Sequence, residues 1–434
     1  MREDIEHIAT DTLQSKKVIV KVVDNENSLS SLAESWKKLS EEAKSKIFEK
    51  YEWLSSWWKH FGRHPKRQLF IITVYLNNEL IGLAPFYIGI SSIGPVTVQR
   101  RLHLMGCGTN SNEFWGFMDD YGYSDFLDIS SLPNHRQIVA DSICDFLKHN
   151  FMKADTICFK HVNDKSFIVQ HLLPSLSKRN ITYSKHKTDE CPFISLPSSF
   201  EEYIRNTGPS SRRRKLKKKL KSASKDYIVE NGVTLDEVRG GVEKLIDLHQ
   251  ERWNKIGHSG TFHDKRHLRF VKEFSEIAFR NGWLGLKLAK DEQGCCAVRM
   301  VIQDGQAMYD WLSGFNDSAS SAKFRPGHGL LTLMIKETIE SDINRVELMR
   351  GGEKYKFDYT LESSYNNKII ISLNNEKYWV RNLLNHLVHS MAWIHLKVGR
   401  EIKLLRVQYW RVGFPRFVFG YAYFRLKNIK EKYH

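Results

Sequence analysis

The sequence predicts an α/β (α+β) protein with two similar lobes, each a mixed sheet flanked by helices, followed by a helical C-terminal appendage. A chain of 434 residues is longer than one compact core usually holds. Helix-like and strand-like segments recur in a similar order in its two halves. After position 375 the side chains change to interleaved aromatic and basic residues. The predicted domains are therefore residues 1–190, 191–375 and 376–434.

The first half alternates helix and strand patterns. A helix predicted over 52–61 carries three tryptophans on one face and ends at Gly62. These tryptophans are core candidates, with a ligand platform as the alternative; they are Trp53, Trp57 and Trp58. Runs 69–76 and 80–88 flank Asn77-Asn78-Glu79, which is typical of a hairpin. Further strands are predicted at 102–105, 126–129 and 156–159, and further helices at 138–151 and 167–176.

The second half repeats this plan in element order. We predict helices at 242–255, 268–280 and 330–340, and strands at 284–289, 295–302, 307–314, 345–348 and 368–373. The two lobes are expected to join near Cys191-Pro192. Sequence identity between the halves is weak, so the repeat rests on element order alone.

The bulk composition fits a folded protein in a reducing compartment. The hydrophobic fraction is 41%, and the chain has only 10 prolines. The 6 cysteines are scattered apart from one adjacent pair, which suits neither a zinc site nor a disulfide framework. The charged N-terminus lacks the apolar segment of a secretory signal, and no apolar run reaches the roughly 18 residues of a membrane span. We expect a cytoplasmic protein without a metal.

The segment Pro326-Gly327-His328-Gly329 follows a predicted strand and opens a predicted helix. Free N–H groups and the positive end of a helix favour an anion in this arrangement. Glycine lets the backbone approach a ligand closely, and Pro326 limits the freedom of the loop. The segment is therefore a candidate pyrophosphate cradle. The alternative is a plain strand-to-helix turn that needs glycine for a positive φ.

Several segments between residues 50 and 375 carry a resemblance to a known family. In order, they are Trp53–Trp58 with Gly62, Leu80–Pro85, Arg212–Leu216, His249–Trp253, Ser313–Phe315, Pro326–Gly329, Val346–Met349 and Arg350–Lys356. Together they resemble the CelD/BcsL-type acetyltransferases of the GNAT superfamily, whose members are commonly linked to polysaccharide biosynthesis. The resemblance implies two GNAT-like lobes in tandem, as in the Fem-type aminoacyltransferases. The general GNAT signature places a basic residue at position 324, whereas this chain has Phe324 followed by Arg325.

The resemblance also implies that the second lobe holds acyl-CoA, with acetyl-CoA as the simplest donor. The residues expected at the cofactor are Arg325, Pro326, Gly327, His328 and Gly329. Residues expected near the acceptor are Arg212, Arg213, Arg252, Trp253 and Lys356. The turn Gly106–Asn110 is a further candidate for acceptor contact.

Acyl transfer requires a base for the acceptor and a proton donor for the thiolate that leaves. Three carboxylates lie beside aromatic residues whose apolar surroundings can raise a carboxyl pKa: Glu251, Asp310 and Glu353. Each fits a structural ion pair equally well. Tyr355 and Tyr309 are candidate proton donors, and His328 can face the acyl group or serve as a capping or surface residue.

A formal charge of +16 indicates an anionic partner. Residues 211–221 combine arginines and lysines with Leu216 and Leu220 on one helical stripe. This run can be a nucleic-acid patch, a nuclear import signal or a solvated helix face. The resemblance implies a further alternative, in which the run lines a cleft that receives CoA phosphates or an anionic acceptor. The basic aromatic tail suits an anionic membrane surface, and packing back across the lobes is the alternative. Because no zinc pattern, helix-turn-helix or RNP-like strand is recognisable, we expect no nucleic-acid partner.

The expected function is transfer of an acetyl or other acyl group from acyl-CoA to an amine or hydroxyl of a sugar or polysaccharide precursor. One alternative is a Fem-like aminoacyltransferase that uses aminoacyl-tRNA. The other is a non-catalytic binding subunit of a polysaccharide-synthesis complex. We expect a cytoplasmic protein that can lie at the inner face of the membrane through contact of its tail with anionic lipid.

Overall fold

The strands in the described part of the chain form one continuous mixed sheet. The computed structural model describes residues 7–9, 17–93, 96–109, 122–149, 154–255, 257, 259–317 and 325–372. The strands are β1 (His7–Ala9), β2 (Val18–Val23), β3 (Arg67–Leu76), β4 (Glu79–Ile93), β5 (Val96–Leu104), β6 (Ser130–Ser131), β7 (Thr156–Asn163), β8 (Tyr183–Ser195), β9 (Ile228–Asn231), β10 (Leu284–Asp291), β11 (Gly294–Gln303), β12 (Ala307–Phe315), β13 (Arg345–Glu347) and β14 (Ser363–Ser372). Their order across the sheet is β1-β2-β3-β4-β5-β7-β14-β8-β13-β12-β11-β10-β9, with β6 beside β4.

Helices connect and cover these strands. They are α1 (Glu26–Ser31), α2 (Ala33–Glu42), α3 (Tyr51–Trp57), α4 (Arg136–His149), α5 (Leu173–Lys178), α6 (Phe200–Asn206), α7 (Ser210–Lys225), α8 (Leu235–Lys255), α9 (Lys265–Arg280) and α10 (Pro326–Ile339). Two π-helical turns, Trp58–Gly62 and Ile168–Leu172, adjoin α3 and α5. Among the described residues, no helix combines the length and apolar character needed to cross a membrane.

The predicted hairpin between β3 and β4 is confirmed. Asn77 and Asn78 both adopt left-handed backbone conformations, with φ of 50° and 68°. Asparagine tolerates this region better than most residues, and two such residues in succession make a turn whose twist matches the strands. Leu76 lies opposite Glu79 at the end of the ladder. The local sequence therefore specifies this connection.

A strand–helix–strand unit with parallel strands occurs once in each half. In the first half β5 pairs in parallel with β7, and α4 lies between them in the chain. In the second half β12 pairs in parallel with β13, and α10 lies between them. Parallel neighbours need such a crossover because the chain must return to the same end of the sheet. The repeated element order predicted from the sequence is present in the structure.

Strand β8 connects the two halves of the sheet. Its residues from Tyr183 to Pro192 pair with β14, and those from Phe193 to Ser195 pair with β13. Strand β14 comes from the end of the described chain, yet it lies between β7 and β8. The predicted boundary at residue 190 falls inside β8 and remains a prediction. The predicted appendage, residues 376–434, lies outside the described residues.

An aromatic core joins elements of both halves. Trp53 on α3 lies 4.5 Å from Phe274 on α9 and 5.5 Å from Trp311 on β12, measured between ring centroids. Trp53 and Trp57 are fully buried and Trp58 is nearly so. Buried aromatic rings contribute large apolar areas to a core. This burial fits the core interpretation of the three tryptophans.

The predicted strand at 126–129 is wrong, because only Ser130–Ser131 pairs there. Phe126 has a left-handed backbone with φ of 55°, which breaks the extended conformation. The carboxylate of Asp128 accepts the N–H groups of Phe167 and Ile168 at 2.6 and 3.0 Å. Asp128 therefore caps the turn that leads into α5, a role that hydrophobic periodicity does not indicate.

Candidate acyl-CoA site at the split between two parallel strands

Strands β12 and β13 lie side by side for a short distance and then separate. Their pairing ends at Tyr309 opposite Glu347, although β12 continues to Phe315. Beyond Glu347 the chain stays with β8, because the N–H of Leu348 donates to the carbonyl of Pro192 at 2.9 Å. The separation opens a split in the sheet beside the C-terminal end of β12.

The first turn of α10 lies at this split. A Cβ placed on Gly327 would have Phe315, the last residue of β12, as its nearest neighbour at 3.9 Å. Arg299 on β11 donates its Nε–H to the carbonyl of Gly327 at 3.1 Å. The first N–H groups of a helix have no partner within the helix, and the helix dipole adds positive charge there. The split therefore lies beside a helix start that favours the binding of an anion.

The two glycines of the turn have different surroundings. A Cβ on Gly329 would lie 1.7 Å from the hydroxyl of Tyr227 and 3.2 Å from Ala223, so this glycine allows α7 to pack closely on α10. A Cβ on Gly327 meets nothing closer than ordinary van der Waals contact. The open face of the turn is thus at Gly327, whereas Gly329 is required by helix packing. Pro326, which precedes both glycines in the chain, is buried.

Arg325 precedes α10 in a left-handed backbone conformation, with φ of 53° and ψ of 61°. This region is unfavourable for a residue that has a Cβ, and it often occurs at functional turns. The side chain of Arg325 is exposed. Phe324, where the general signature has its basic residue, lies outside the described residues.

A buried ion pair between Arg299 and Asp310 contacts the turn. Both carboxylate oxygens of Asp310 on β12 lie 2.5 Å from one guanidinium nitrogen of Arg299. Because the same guanidinium also donates to Gly327, the pair connects two strands to the helix start. Unpaired buried charges are costly, so each partner depends on the other. Asp310, a predicted base, has its carboxylate engaged here.

Three aromatic side chains surround the same turn. The hydroxyl of Tyr359 donates to the carbonyl of His328 at 2.9 Å, and the rings of His328 and Tyr355 lie 5.3 Å apart. Burial, followed by the charges of Lys219 and Arg299, lowers the pKa of His328 to about 3. His328 is therefore uncharged at neutral pH. Burial and then the Asp310 charge raise the pKa of Tyr355, so this phenol keeps its proton.

Helix α7 carries the basic run and packs on α10. Leu216 is fully buried, as predicted for the apolar stripe, and Leu220 is half-buried. Lys219 lies 3.2 Å from Asp358 and 4.2 Å from the centre of the Tyr359 ring. Burial lowers the pKa of Lys219, and Asp358 opposes this shift. Four cations of the run are exposed and form no ion pair with a described residue: Arg214, Lys217, Lys218 and Lys221.

The other predicted catalytic and acceptor residues are placed as follows. Glu353 is exposed and pairs with Lys356 at 2.9 Å, and Glu251 is exposed on α8. Lys356 is buried and donates to the carbonyls of Met349 and Arg350 at 3.1 and 2.7 Å. Its ammonium group thus closes the chain reversal after β13.

The predicted acceptor arginines make contacts near their own elements. Arg252 on α8 stacks over the ring of Phe315 at 4.4 Å, beside the end of β12. Arg212 is half-buried and donates to the carbonyl of Thr207 at 2.6 Å. The remaining two, Arg213 and Trp253, are half-buried on α7 and α8. Of these residues, Arg252 has a contact at the end of β12 that borders the split.

Three residues of the site were not predicted from the sequence: Arg299, Lys219 and Tyr359. A signal existed for Arg299, because it is the one charged residue in the apolar run from Cys295 to Ile302. Lys219 was part of the basic run but was not separated from the exposed cations. Tyr359 had no distinguishing pattern.

Residues 210–357 match the family model described as an acetyltransferase (GNAT) domain. That range contains α10, the split and the Arg299–Asp310 pair. A search of curated proteins found no match.

Solved structures are similar to 80–81% of this chain at low sequence identity. The crystal structure of FemX has a TM-score of 0.53 and 10% identity, covering 80% of this chain and 98% of that chain. A conserved protein of unknown function from Bacteroides thetaiotaomicron has a TM-score of 0.47 and 9% identity, covering 81% and 99%. A tandem GNAT protein from the clavulanic acid biosynthesis pathway has a TM-score of 0.38 and 9% identity, covering 81% and 98%. The predicted α/β fold class with two tandem GNAT-like lobes is confirmed, whereas the predicted helical appendage lies outside the described residues.

Proposed function

We propose that this protein transfers an acyl group from acyl-CoA to an amine or hydroxyl of a sugar or polysaccharide precursor. The observation that carries the proposal is the split between β12 and β13 with the start of α10 beside it. The match of residues 210–357 to an acetyltransferase domain supports acyltransferase activity in general. The sugar acceptor rests on the resemblance of the sequence to CelD/BcsL-type enzymes.

The turn offers the groups that an acyl-CoA pyrophosphate requires. The N–H of Gly327 lies at the start of α10, on the face of the turn that has room for a ligand. His328 and Gly329 donate their N–H groups to the carbonyl of Arg325 at 2.9 and 3.3 Å, which keeps the turn in shape. Arg325, with its exposed guanidinium, adds positive charge. These residues would hold the phosphates.

Residues of the split suit different steps of acyl transfer. Tyr355 retains its proton at neutral pH because burial raises its pKa, so it fits the donor to the thiolate. Asp310 is bound to Arg299 and fits a supporting role better than that of a free base. Glu251 and Glu353 are exposed and remain candidate bases for the acceptor. Tyr355 is therefore assigned as the acid, and Glu251 and Glu353 are the candidate bases.

Titration with acetyl-CoA tests the proposal. A ligand that binds only the folded protein at a concentration 100 times its Kd raises the free energy of unfolding by about 2.7 kcal/mol. We expect acetyl-CoA and CoA at millimolar concentration to raise Tm, and calorimetry to give one site. The absence of stabilisation by acetyl-CoA, CoA and longer acyl-CoAs would contradict the proposal.

The alternatives have distinct outcomes in the same experiment. A Fem-like aminoacyltransferase would be stabilised by aminoacyl-tRNA and not by CoA. The fold similarity to FemX supports this alternative. A non-catalytic binding subunit would bind a glycan precursor without consuming acetyl-CoA. Membrane contact through the C-terminal tail remains a separate prediction.

A further inference from the structure

Three buried polar side chains lie together without a hydrogen-bond partner. Tyr123 precedes Ser124, whose hydroxyl accepts the indole N–H of Trp53 at 2.9 Å. His267 lies on α9, and Trp311 lies on β12. Their exposed fractions are 9%, 8% and 8%. The Tyr123 hydroxyl, the His267 Nδ1 and the Trp311 Nε1 are all buried and have no hydrogen-bond partner among the described residues. These three residues are called the orphan triad below.

The members of the orphan triad are close neighbours. The ring of Tyr123 lies 5.2 Å from that of His267 and 6.0 Å from that of Trp311, edge to face in both cases. The ring of Phe270 stacks on Tyr123 at 5.4 Å and lies 6.4 Å from Trp311. Phe61 lies 4.9 Å from His267. The polar atoms therefore lie among aromatic carbon that offers them no hydrogen bond.

Such a cluster is costly in energetic terms, because a buried polar group without a partner costs about 1–3 kcal/mol. Other buried atoms of the described residues also lack a partner, such as Nε1 of Trp57 and of Trp58, but the orphan triad combines three of them in neighbouring rings. Other buried tyrosine hydroxyls of the described residues donate to an oxygen atom: Tyr87 to Cys107, Tyr203 to Tyr359, Tyr227 to Pro326, Tyr309 to Asp304, and Tyr359 to His328. Tyr123 departs from this pattern, and it does so beside two further orphans. A bound group with several hydroxyls would satisfy all three.

The orphan triad adjoins the candidate acyl-transfer site. Trp311 follows Asp310 on β12, so it lies along the strand that borders the split. Tyr123 lies between Gly122 and Ser124, whose carbonyls both accept from the guanidinium of Arg350. Arg350 follows β13 by a few residues. Both strands that border the split thus lead to the orphan triad.

The charge around the orphan triad indicates an uncharged ligand. Burial lowers the pKa of His267 to about 4 and raises the pKa of Tyr123 above its usual range, so neither group is ionised at neutral pH. The negative charge of Asp264 acts on the pKa of both groups. This carboxylate lies 2.6 Å from the guanidinium of Arg266 and accepts the backbone N–H of Arg266 at 2.9 Å. An indole N–H, a phenol and a neutral imidazole bind hydroxyl and amide groups through hydrogen bonds.

We infer that Tyr123, His267 and Trp311 form the acceptor subsite and that it binds an uncharged, hydroxyl-rich ring of the kind found in sugars. This inference rests on the proposed acyl transfer, in which the acceptor must reach the split between β12 and β13. Aromatic neighbours suit the carbon face of such a ring, and the three polar atoms suit its hydroxyl groups.

The test uses Tyr123→Phe, which removes only the orphan hydroxyl. Glucose and N-acetylglucosamine serve as uncharged probes, and lysine serves as an amine without a ring; binding is measured by calorimetry or ligand-observed NMR. We expect the wild type to bind both sugars and not lysine, and Tyr123→Phe to raise their Kd about tenfold, as for one lost hydrogen bond. Its Tm should be equal to or above that of the wild type, because the removed group has no partner.

Tyr203→Phe is the matched control, since this variant removes a buried hydroxyl that donates to the carbonyl of Tyr359 at 2.8 Å. We expect it to lower Tm and to leave the Kd of both sugars unchanged. The inference is overturned if the wild type binds neither sugar, if Tyr123→Phe binds them as the wild type does, or if Tyr123→Phe lowers Tm as Tyr203→Phe does.

A parallel titration with acetyl-CoA separates this inference from the proposed function. If acetyl-CoA binds all three proteins equally and sugar binding fails, only the acceptor subsite is rejected. If acetyl-CoA fails to bind while the sugars bind through Tyr123, the orphan triad is a sugar site but not the acceptor site of an acyl-CoA enzyme. Both the inference and the proposed function are then rejected.

Discussion

Arg350 in the second half of the chain donates its backbone N–H to the carboxylate of Asp125 in the first half at 3.1 Å. The guanidinium of Arg350 lies 3.4 Å from the same carboxylate and 2.8 Å from Nδ1 of His161. Burial raises the pKa of Asp125, and the charge of Arg350 opposes this shift. Asn366 on β14 donates to Asp125 as well, at 3.1 Å. This relationship ties the chain after β13 to the segment that carries Tyr123.

Replacing Arg350 by alanine should destabilise the protein strongly. The substitution leaves the carboxylate of Asp125 buried without its cation, and breaking a buried pair in this way costs about 3–5 kcal/mol. Urea unfolding measures the free energy of unfolding. Arg179→Ala is the control, because the side chain of Arg179 has the same exposed fraction, 18%, but pairs with the more exposed Asp141 and Asp145. We expect about 1 kcal/mol there, and equal effects of the two substitutions would contradict the prediction.

Asp310→Asn should lower stability by about 3–5 kcal/mol because it leaves the buried guanidinium of Arg299 without a counter-charge. The double variant Arg299→Met with Asp310→Leu should recover most of this loss, since apolar residues of similar volume replace the pair. Thermal and urea unfolding provide the measurement. If Asp310 acts as a free base instead, Asp310→Asn will abolish acyl transfer at unchanged stability.

The glycines of the α10 turn should respond differently to alanine. Gly329→Ala should destabilise the protein by about 1–3 kcal/mol, because the new Cβ meets the hydroxyl of Tyr227. Adding Tyr227→Phe should restore part of this stability, which a double-mutant cycle measures.

Gly327→Ala should leave stability unchanged or slightly raised, because the position has room and alanine favours helix. The same variant should weaken acetyl-CoA binding at least about tenfold, a loss of about 1.4 kcal/mol; unchanged affinity would mean that the turn is structural.

Stability should fall as pH rises between about 5 and 8 because of Glu49. Burial raises the pKa of this carboxyl to about 8, and Lys46 opposes the shift. In that range the folded state keeps a proton that the unfolded state has lost, so the unfolded state binds fewer protons and the free energy of unfolding decreases. Glu49→Gln should raise Tm at pH 8 but hardly at pH 5, as thermal unfolding at the two values can measure. Glu42→Gln, at an exposed residue of the same region, should change neither value.

Local features of the fold were predictable where neighbouring residues determine the backbone. The hairpin at Asn77-Asn78, the helix with Trp53 and Trp57, and the start of a helix near Pro326 each depend on turn chemistry or periodicity within a few residues. The strand predicted at 126–129 failed because a distant contact, from Asp128 to the N–H groups of Phe167 and Ile168, decides that backbone.

The candidate site was predictable in part for the same reason. The glycine turn and the carboxylate of Asp310 were recognisable, but the arginine that binds Asp310 is on another strand. Likewise, the sequence does not distinguish Gly327 from Gly329, because Tyr227 lies just after α7, about a hundred residues earlier in the chain.

By itself, the sequence determined the element order, the hairpin, the helix that follows the glycine turn and the basic stripe on α7, because periodicity and turn residues act over short distances. Only the tertiary structure decided that β14 enters the sheet between β7 and β8, that Asp310 pairs with Arg299, and that Arg350 binds Asp125. It also placed three unsatisfied polar groups side by side from elements far apart in the chain. Pairing partners, burial and the hydrogen bonds that remain unmade depend on long-range packing, which one-dimensional patterns do not encode.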